Sequence, residues 1–412
     1  MSLFCRHCSS PLSHEVIDLG HQPPSNAYRM VDHLHFPEVT YPLKVYLCTK
    51  CWLMQLPTHA EAHELFTPEY AYFSSTSISW CDHARAYVSN AIERLSLNKN
   101  SFVVEIGSND GYLLQYVQAK GIKCLGIEPT TATATASRSK GIETIENFFC
   151  SQLANELASM GRQADLVVAN NVLAHVPDIN DFMLGVTTLL KPNGLVSFEF
   201  PHLLELIKGN QFDTIYHEHY SYLSLQIVER IALIAGLVIV DVQELPTHGG
   251  TLRLWLSHKD DFDHWCGPVQ QRAIDFVRSK EIDAQLESAI PYIGFQKRAL
   301  QAKLSLLEFL VQASQHGRRV LGYGAAAKGN TLLNYSGIKS DLLEFVADLA
   351  PSKQGRYMPG SHIPIISVDE FLDRDPHDIL LLPWNLSKEI KQQLAHKTKA
   401  RFYKAIPDLC CI

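Results

Sequence analysis

Two cysteine pairs, one histidine run and one glycine loop are the parts of this chain whose residue types and spacing can do chemistry. Cys5-Arg6-His7-Cys8 and Cys48-Thr49-Lys50-Cys51 are C-x-x-C knuckles separated by a single loop. Each knuckle offers two thiolates from a tight turn, and two knuckles complete the tetrahedron that zinc requires. Four thiolates leave no open position, so a metal on Cys5, Cys8, Cys48 and Cys51 is structural and not catalytic. Incidental buried cysteines are the plainer reading, but two pairs bracketing a compact turn-rich segment argue against it. His7, His59 and His63 are possible substitute ligands, although the cysteines alone complete the set.

Ile215-Tyr216-His217-Glu218-His219-Tyr220 is the densest run of proton-transfer side chains. Histidine titrates near neutral pH, and a neighbouring carboxylate can fix its tautomer. Three readings compete. A metal site on His217, Glu218 and His219 lacks the helical His-Glu-x-x-His spacing. A solvated polar loop is the bland one. A catalytic cluster is favoured, because so many ionisable and phenolic groups beside a crevice are costly unless used.

Glu105-Ile106-Gly107-Ser108-Asn109-Asp110-Gly111 closes a buried strand-like run. Glycines there let the backbone turn sharply and approach a ligand at the start of the next helix. Glu128, at the end of the following strand, is placed to accept hydrogen bonds from ribose hydroxyls. Gly-x-x-x-Gly differs from the dinucleotide fingerprint, and alone it is weak. Asn170 and Asn171 end a later strand and line the same crevice. His175, one turn beyond, either faces the reacting centre or is a satisfied surface histidine.

These groups need a frame. Runs at 101–106, 122–128, 164–169 and 194–200 read as buried strands alternating with helical stretches, hence a parallel sheet covered on both faces. A Lys191-Pro192-Asn193-Gly194 turn precedes the fourth. Runs at 236–242 and 250–256 have no helix between them and should pair antiparallel. A doubly wound sheet ending in an antiparallel hairpin is the layout of class I methyltransferases, whose cofactor is S-adenosylmethionine. Residues from about 262 to 316 look helical, and a second doubly wound, Rossmann-like unit opens at Arg319. The expected division is a zinc-binding domain over 1–68, a methyltransferase domain over 69–258, and a helical linker with a Rossmann-like domain over 259–412.

The chain has 412 residues, which suits two or three domains, and 46% hydrophobic with 19% charged residues is ordinary for a soluble globular protein. A net charge of −7 argues against a nucleic-acid partner. No apolar run reaches the roughly 18 residues of a membrane span, and the start, Met1-Ser2-Leu3-Phe4, has no signal-peptide core. A cytoplasmic location with reduced thiols is expected, so the ten cysteines are metal ligands and buried thiols rather than a disulfide framework.

The motifs together resemble the sugar C-methyltransferases that act on nucleotide-linked deoxysugars. The resemblance runs the length of the chain: both cysteine pairs, Gln22-Pro23-Pro24-Ser25-Asn26, Tyr70-Ala71-Tyr72-Phe73-Ser74-Ser75, Glu105 to Gly111, Tyr216 to His219, His248-Gly249-Gly250-Thr251-Leu252-Arg253, and Gly322 to Asn330. It implies a 4-keto nucleotide sugar methylated at C3 through an enolate, with His219 as base, Tyr216 and Glu218 flanking it, and Tyr70 and His175 nearby. Whether Tyr70 or Tyr72 is the active-site tyrosine is left open by the sequence. Substrate contacts are implied for His248 and Arg253, and for Gly324, Lys328 and Asn330 around the nucleotide diphosphate. A monomer with no nucleic-acid or membrane partner fits these features, and the sequence leaves the oligomeric state open.

Gly322-Tyr323-Gly324-Ala325-Ala326-Ala327, with Asp348 ending the next strand, also fits a dinucleotide fingerprint. A nicotinamide-dependent sugar oxidoreductase is therefore the main rival. A zinc-ribbon nucleic-acid methyltransferase is a weaker one, since Asn170-Asn171-Val172-Leu173 stands where a Pro-Pro-Tyr tetrad would lie.

Overall fold

A computed structural model describes residues 3–68, 70 and 72–412. Met1, Ser2, Glu69 at the expected domain boundary, and Ala71 of the Tyr70–Ser75 motif lie outside the described residues.

Three sheets organise the chain. The first holds β1 (His14–Gln22), β2 (Tyr41–Leu47) and β3 (Met54–Gln55), all antiparallel. The second is built from β4 (Phe102–Ile106), β5 (Lys123–Ile127), β6 (Thr144–Ile145), β7 (Ala164–Asn170) and β8 (Leu190–Pro201). A two-residue strand, β9 (Ser221–Tyr222), leaves this unit and pairs with β3, so the first sheet takes its fourth strand from the segment just after the histidine run. The second sheet closes with the hairpin β10 (Leu237–Leu245) and β11 (Thr251–His258), giving the order β10-β11-β8-β7-β4-β5-β6. β11 runs antiparallel to both neighbours and the rest are parallel, as the missing helix between them requires.

The expected turn at 191–194 is not a turn before a strand. It is a bulge inside β8: Ala164 faces Leu190, and the next partners are Leu166 and Leu195. Asn193 takes the left-handed conformation there (φ 62°), and β8 continues on both sides.

The third sheet contains β12 (Val320–Tyr323), β13 (Val346–Ala347), β14 (Ile365–Ile366), β15 (Asp378–Leu381), β16 (Arg401–Lys404) and β17 (Cys410–Cys411) in the order β14-β13-β12-β15-β16-β17. Strand order reverses between β4 and β7 in the second sheet and between β12 and β15 in the third. Open α/β sheets hold ligands at such points, beyond the carboxyl ends of the strands.

Burial does not follow the expected domain boundaries. Cys5, Leu12, Cys48, Cys51 and Leu53 pack into one core with Phe182, Ile227 and Ile231. The inner face of the first sheet (Ile17, Leu43, Val45) shares another with Phe212, Ile215, Phe295 and Leu332. The helix Ile78–Leu95 starts where the Ser77 hydroxyl accepts from the Trp80 amide, and buries Ala84, Tyr87, Val88 and Ala91 at helical spacing. It thereby fixes Trp80 and His83 above the second sheet. No helix among the described residues is long and apolar enough to cross a membrane.

Candidate active site

At the cysteine knuckles, the four sulfurs lie within 4.8 Å of one another, with Cys5–Cys51 and Cys8–Cys48 each at 3.5 Å. A zinc tetrahedron with Zn–S bonds of about 2.3 Å has edges of about 3.8 Å, so the donor set fits the ion. His7 is turned elsewhere: its Nδ1 meets Asn180 Oδ1 at 2.7 Å. Arg6 ties the knuckle to the rest of the molecule. Its guanidinium donates to the carbonyls of Pro177 (2.6 Å) and Leu56 (2.5 Å) and stands 5.2 Å from the centre of the Tyr220 ring.

At the switch point of the second sheet, the glycine loop follows β4 and Asn170-Asn171 follow β7. Gly107 (φ +65°) cannot carry a side chain, because a Cβ would meet Val172 Cγ2 at 2.6 Å. The close approach is thus to the neighbouring loop. Glu128 accepts from the amides of Asn109 (2.9 Å) and Thr130 (3.0 Å), which orients it at the loop. Asn109 uses its side chain to hold the preceding segment: Oδ1 accepts from the Ser74 amide and Nδ2 donates to the Tyr72 carbonyl. Asp110 bonds Ser75 and Lys140.

Several polar atoms here are buried without close hydrogen-bond partners among the described residues: both oxygens of Glu105, Asp110 Oδ1, Asn170 Oδ1 and Asn171 Oδ1. Burial, then the charges of Asp110 and Glu128, hold the Glu105 carboxyl well above its usual range. A crevice lined by unpaired acceptors and three carboxyl groups suits a ligand rich in donors and carrying positive charge. S-adenosylmethionine, with an ammonium, a sulfonium and ribose hydroxyls, is such a ligand.

The histidine run is not a solvated loop. His217, Glu218 and His219 are 3%, 1% and 9% exposed. The Tyr216 and His219 rings lie 3.9 Å apart between centres, and His175 meets His219 edge-on at 4.6 Å. His175 is half-buried with an unpartnered Nδ1, so it belongs to this cluster and is not a satisfied surface histidine. Tyr70 donates to Glu218 Oε2 (2.8 Å), and Asn26 donates to Glu218 Oε1 (2.7 Å) and to the Tyr70 hydroxyl (3.2 Å). That geometry favours Tyr70 over Tyr72, whose side chain is 45% exposed. His217 points away toward β2, edge-on to Tyr41 at 5.8 Å.

His219 has a defined tautomer. Its Nδ1 lies 2.7 Å from the Thr214 carbonyl, which can only accept, so Nδ1 carries the proton and Nε2 keeps the lone pair. Burial, and then the charge of His175, hold the imidazolium form well below its ordinary pKa, so the ring is neutral. Burial pushes Glu218 up to about 7, against the pull of Tyr70 and Asn26. The same effect, followed by the charge of Glu218, raises the Tyr216 hydroxyl well above its normal value and keeps it a donor.

The remaining sequence-predicted residues divide. His248 stands edge-on to Trp80 at 5.1 Å, and Lys328 lies close enough for its charge to bear on His248 and His219. Arg253 is instead engaged within the sheet, bonding Glu199 (2.7 Å) and Gln243 (3.1 Å). Burial opposes the charge on Glu199, but Arg253 and His83 outweigh it and hold its carboxyl low. Asn330 donates to the Ser25 carbonyl (2.6 Å), and a Cβ on Gly324 would strike Pro383. Asp348 accepts from the Ala325 amide (2.7 Å) and pairs with Lys353 (3.4 Å). Sequence reasoning gave no role to Asn26, His83, Glu199, Asp213 or Trp384. Asn26 closes a quoted motif, whereas the others lack any local pattern.

Three family profiles match: a zinc binding domain at residues 5–66, a methyltransferase domain at 81–242, and a C-methyltransferase C-terminal domain at 246–407. C-methyltransferase NovU of Streptomyces niveus is 33% identical over 406 residues, covering 98% of this chain and 95% of the relative. A ubiquinone biosynthesis O-methyltransferase of Acinetobacter baumannii is 24% identical over 50% of this chain and 96% of its own length. Among solved structures, magnesium protoporphyrin IX methyltransferase of Synechocystis PCC 6803 with bound S-adenosylmethionine covers 44% of this chain and 79% of its own, at 14% identity and TM-score 0.33.

Proposed function

Since the chain belongs to the family of zinc-containing, S-adenosylmethionine-dependent C-methyltransferases, we propose that its acceptor is a 4-keto nucleotide sugar and that it methylates C3 through an enolate. The observation that carries this reading is His219: a buried neutral imidazole whose Nδ1 is held by a carbonyl and whose Nε2 is free.

A carbon nucleophile needs an acidic C–H bond, and a neighbouring carbonyl supplies one. Nε2 of His219 takes the proton. A base held this weak cannot carry a ketone α-proton alone, so the developing oxyanion must be stabilised as it forms. Tyr216, protonated and packed at a tilt against the His219 ring, is our assignment for that donor. Glu218, with Tyr70 and Asn26, positions the sugar, and His175 closes the cluster. Bound S-adenosylmethionine supplies the electrophilic methyl that the enolate carbon takes. Glu105, Glu128, Asn170, Asn171 and the loop from Gly107 through Asn109 and Asp110 to Gly111 hold it. The division of labour we propose runs 1–68, 69–258 and 259–412, with the nucleotide diphosphate at the β12/β15 switch point. There, Lys328 opens the helix Ala327–Ser336, whose dipole favours an anion. Arg253 and Asn330 are assigned to hold the walls of the site.

The test is incubation with labelled S-adenosylmethionine and thymidine-, uridine- and guanosine-diphospho-4-keto-6-deoxyhexoses, followed by product mass and NMR. A carbonyl at C4 acidifies C3 and C5 alike, so the position of the new methyl decides between them. His219→Asn is expected to lose about 10²- to 10⁴-fold in kcat and to stop solvent deuterium exchange at C3. Exchange and methylation at the parent rate in that variant sink the base assignment.

A further inference from the structure

The third sheet reaches the base by a path that the assignments above do not use. Trp384 follows β15 in the short 3-10 helix Trp384–Leu386, and its indole Nε1 donates to Asp213 Oδ2 at 2.7 Å. Asp213 is fully buried in the 3-10 helix Phe212–Thr214. The next residue, Thr214, presents the carbonyl that accepts from His219 Nδ1. On the other side of the indole, Lys328 Nζ stands 4.4 Å from the ring centre and donates to Asn385 Oδ1 at 2.9 Å. The same ring packs against Gly249, where no Cβ would fit, beside His248. One indole therefore touches the lysine of the C-terminal crevice and the turn that holds the base.

We propose that Trp384 is a positioning residue for His219: its hydrogen bond to Asp213 fixes the 212–214 turn, so proton abstraction depends on how the C-terminal crevice is seated. The proposal rests on His219 being the base. A carbonyl orients an imidazole only as well as its own turn is held. The indole is the one side-chain hydrogen-bond donor on the Asp213 carboxylate among the described residues, and its other support comes from the backbone amides of Asp213 and Thr214. Without the indole, a buried carboxylate facing the Lys328 charge keeps only those two backbone contacts and can turn toward the lysine, drawing Thr214 with it. Misplacement of a reacting group by an ångström is enough to lower a rate by two orders of magnitude.

Trp384→Phe keeps an aromatic ring beside Lys328 and removes the indole N–H together with one of its two fused rings. In the zinc-loaded protein, with thymidine diphospho-4-keto-6-deoxyglucose as probe, kcat and C3 deuterium exchange should both fall about 10- to 100-fold. KM for S-adenosylmethionine should hold within about twofold. Asp213→Asn, which retains an acceptor for the indole, should lose less than Asp213→Ala. Imidazole ¹⁵N spectra need no substrate: the hydrogen-bonded Nδ1–H signal of His219 should be sharp in the parent and broadened in Trp384→Phe. An unchanged Nδ1–H signal, parent-rate exchange, or a loss confined to substrate KM each overturns the proposal. His219→Asn measured alongside separates the two ideas. Parent-rate exchange in His219→Asn removes the base itself. A silent His219→Asn beside a normal Trp384→Phe removes only the positioning role.

Discussion

Glu105→Gln should stabilise the cofactor-free protein while weakening cofactor binding, two effects of opposite sign from one atom. Both oxygens of Glu105 are buried without a close hydrogen-bond partner among the described residues, and its carboxyl is held well above the usual range by burial and then by Asp110 and Glu128, with only Tyr112 opposing. For an acid whose folded pKa is raised, the stability it contributes is complete below its unfolded value near 4.3 and is lost as pH rises toward the folded value. Each pH unit in that window removes about 1.4 kcal/mol. Glutamine does not ionise, but its buried amide keeps an unsatisfied-polar penalty of about 1–3 kcal/mol. At pH 8 the variant is therefore expected to melt above the parent, and the gap to close as pH falls toward 4. Losing a charge-assisted hydrogen bond to the ligand costs about 1.5–3 kcal/mol, so affinity should fall about 10- to 150-fold. In the parent, the carboxyl must ionise to meet a cationic ligand, so affinity should tighten with rising pH, and Glu105→Gln should flatten that slope. Differential scanning fluorimetry without ligand and titration calorimetry with S-adenosylmethionine read the two halves separately. A destabilised cofactor-free variant, or one with parent affinity, refutes the reasoning.

Glu218 behaves in the same sense. Its carboxyl is pushed to about 7, so the stability it contributes is present below about 4.5 and lost between there and 7. The shift is worth up to about 3 kcal/mol. Urea unfolding should show Glu218→Gln gaining on the parent at pH 8 and not at pH 4, and parallel curves at both values contradict this. Cys48→Ser should lose zinc, whose binding contributes about 10–16 kcal/mol in small structural sites. Because β3 pairs with β9, amide exchange should then quicken at 54–56 and at 220–222. Zinc loss without faster exchange at 220–222 would break the link between metal and active site.

The sequence alone determined whatever is local or periodic. The two C-x-x-C turns, the glycine loop between β4 and its helix, the β10–β11 hairpin and the second Rossmann-like opening at Arg319 each lie within a few residues. Their geometry follows from backbone rules that need no partner. The histidine run was legible as chemistry for the same reason, though its burial was not: nothing in residues 215–220 says that β9 will pair with β3 and draw the run beneath the zinc sheet. Asn26 meets Glu218, and Trp384 meets Asp213, across 192 and 171 residues. Only the folded chain brings those groups together. The tautomer and protonation state of His219 were likewise decided by tertiary structure, because both depend on desolvation and on the Thr214 carbonyl. Spacing can nominate an imidazole, but only packing fixes which of its nitrogens is free.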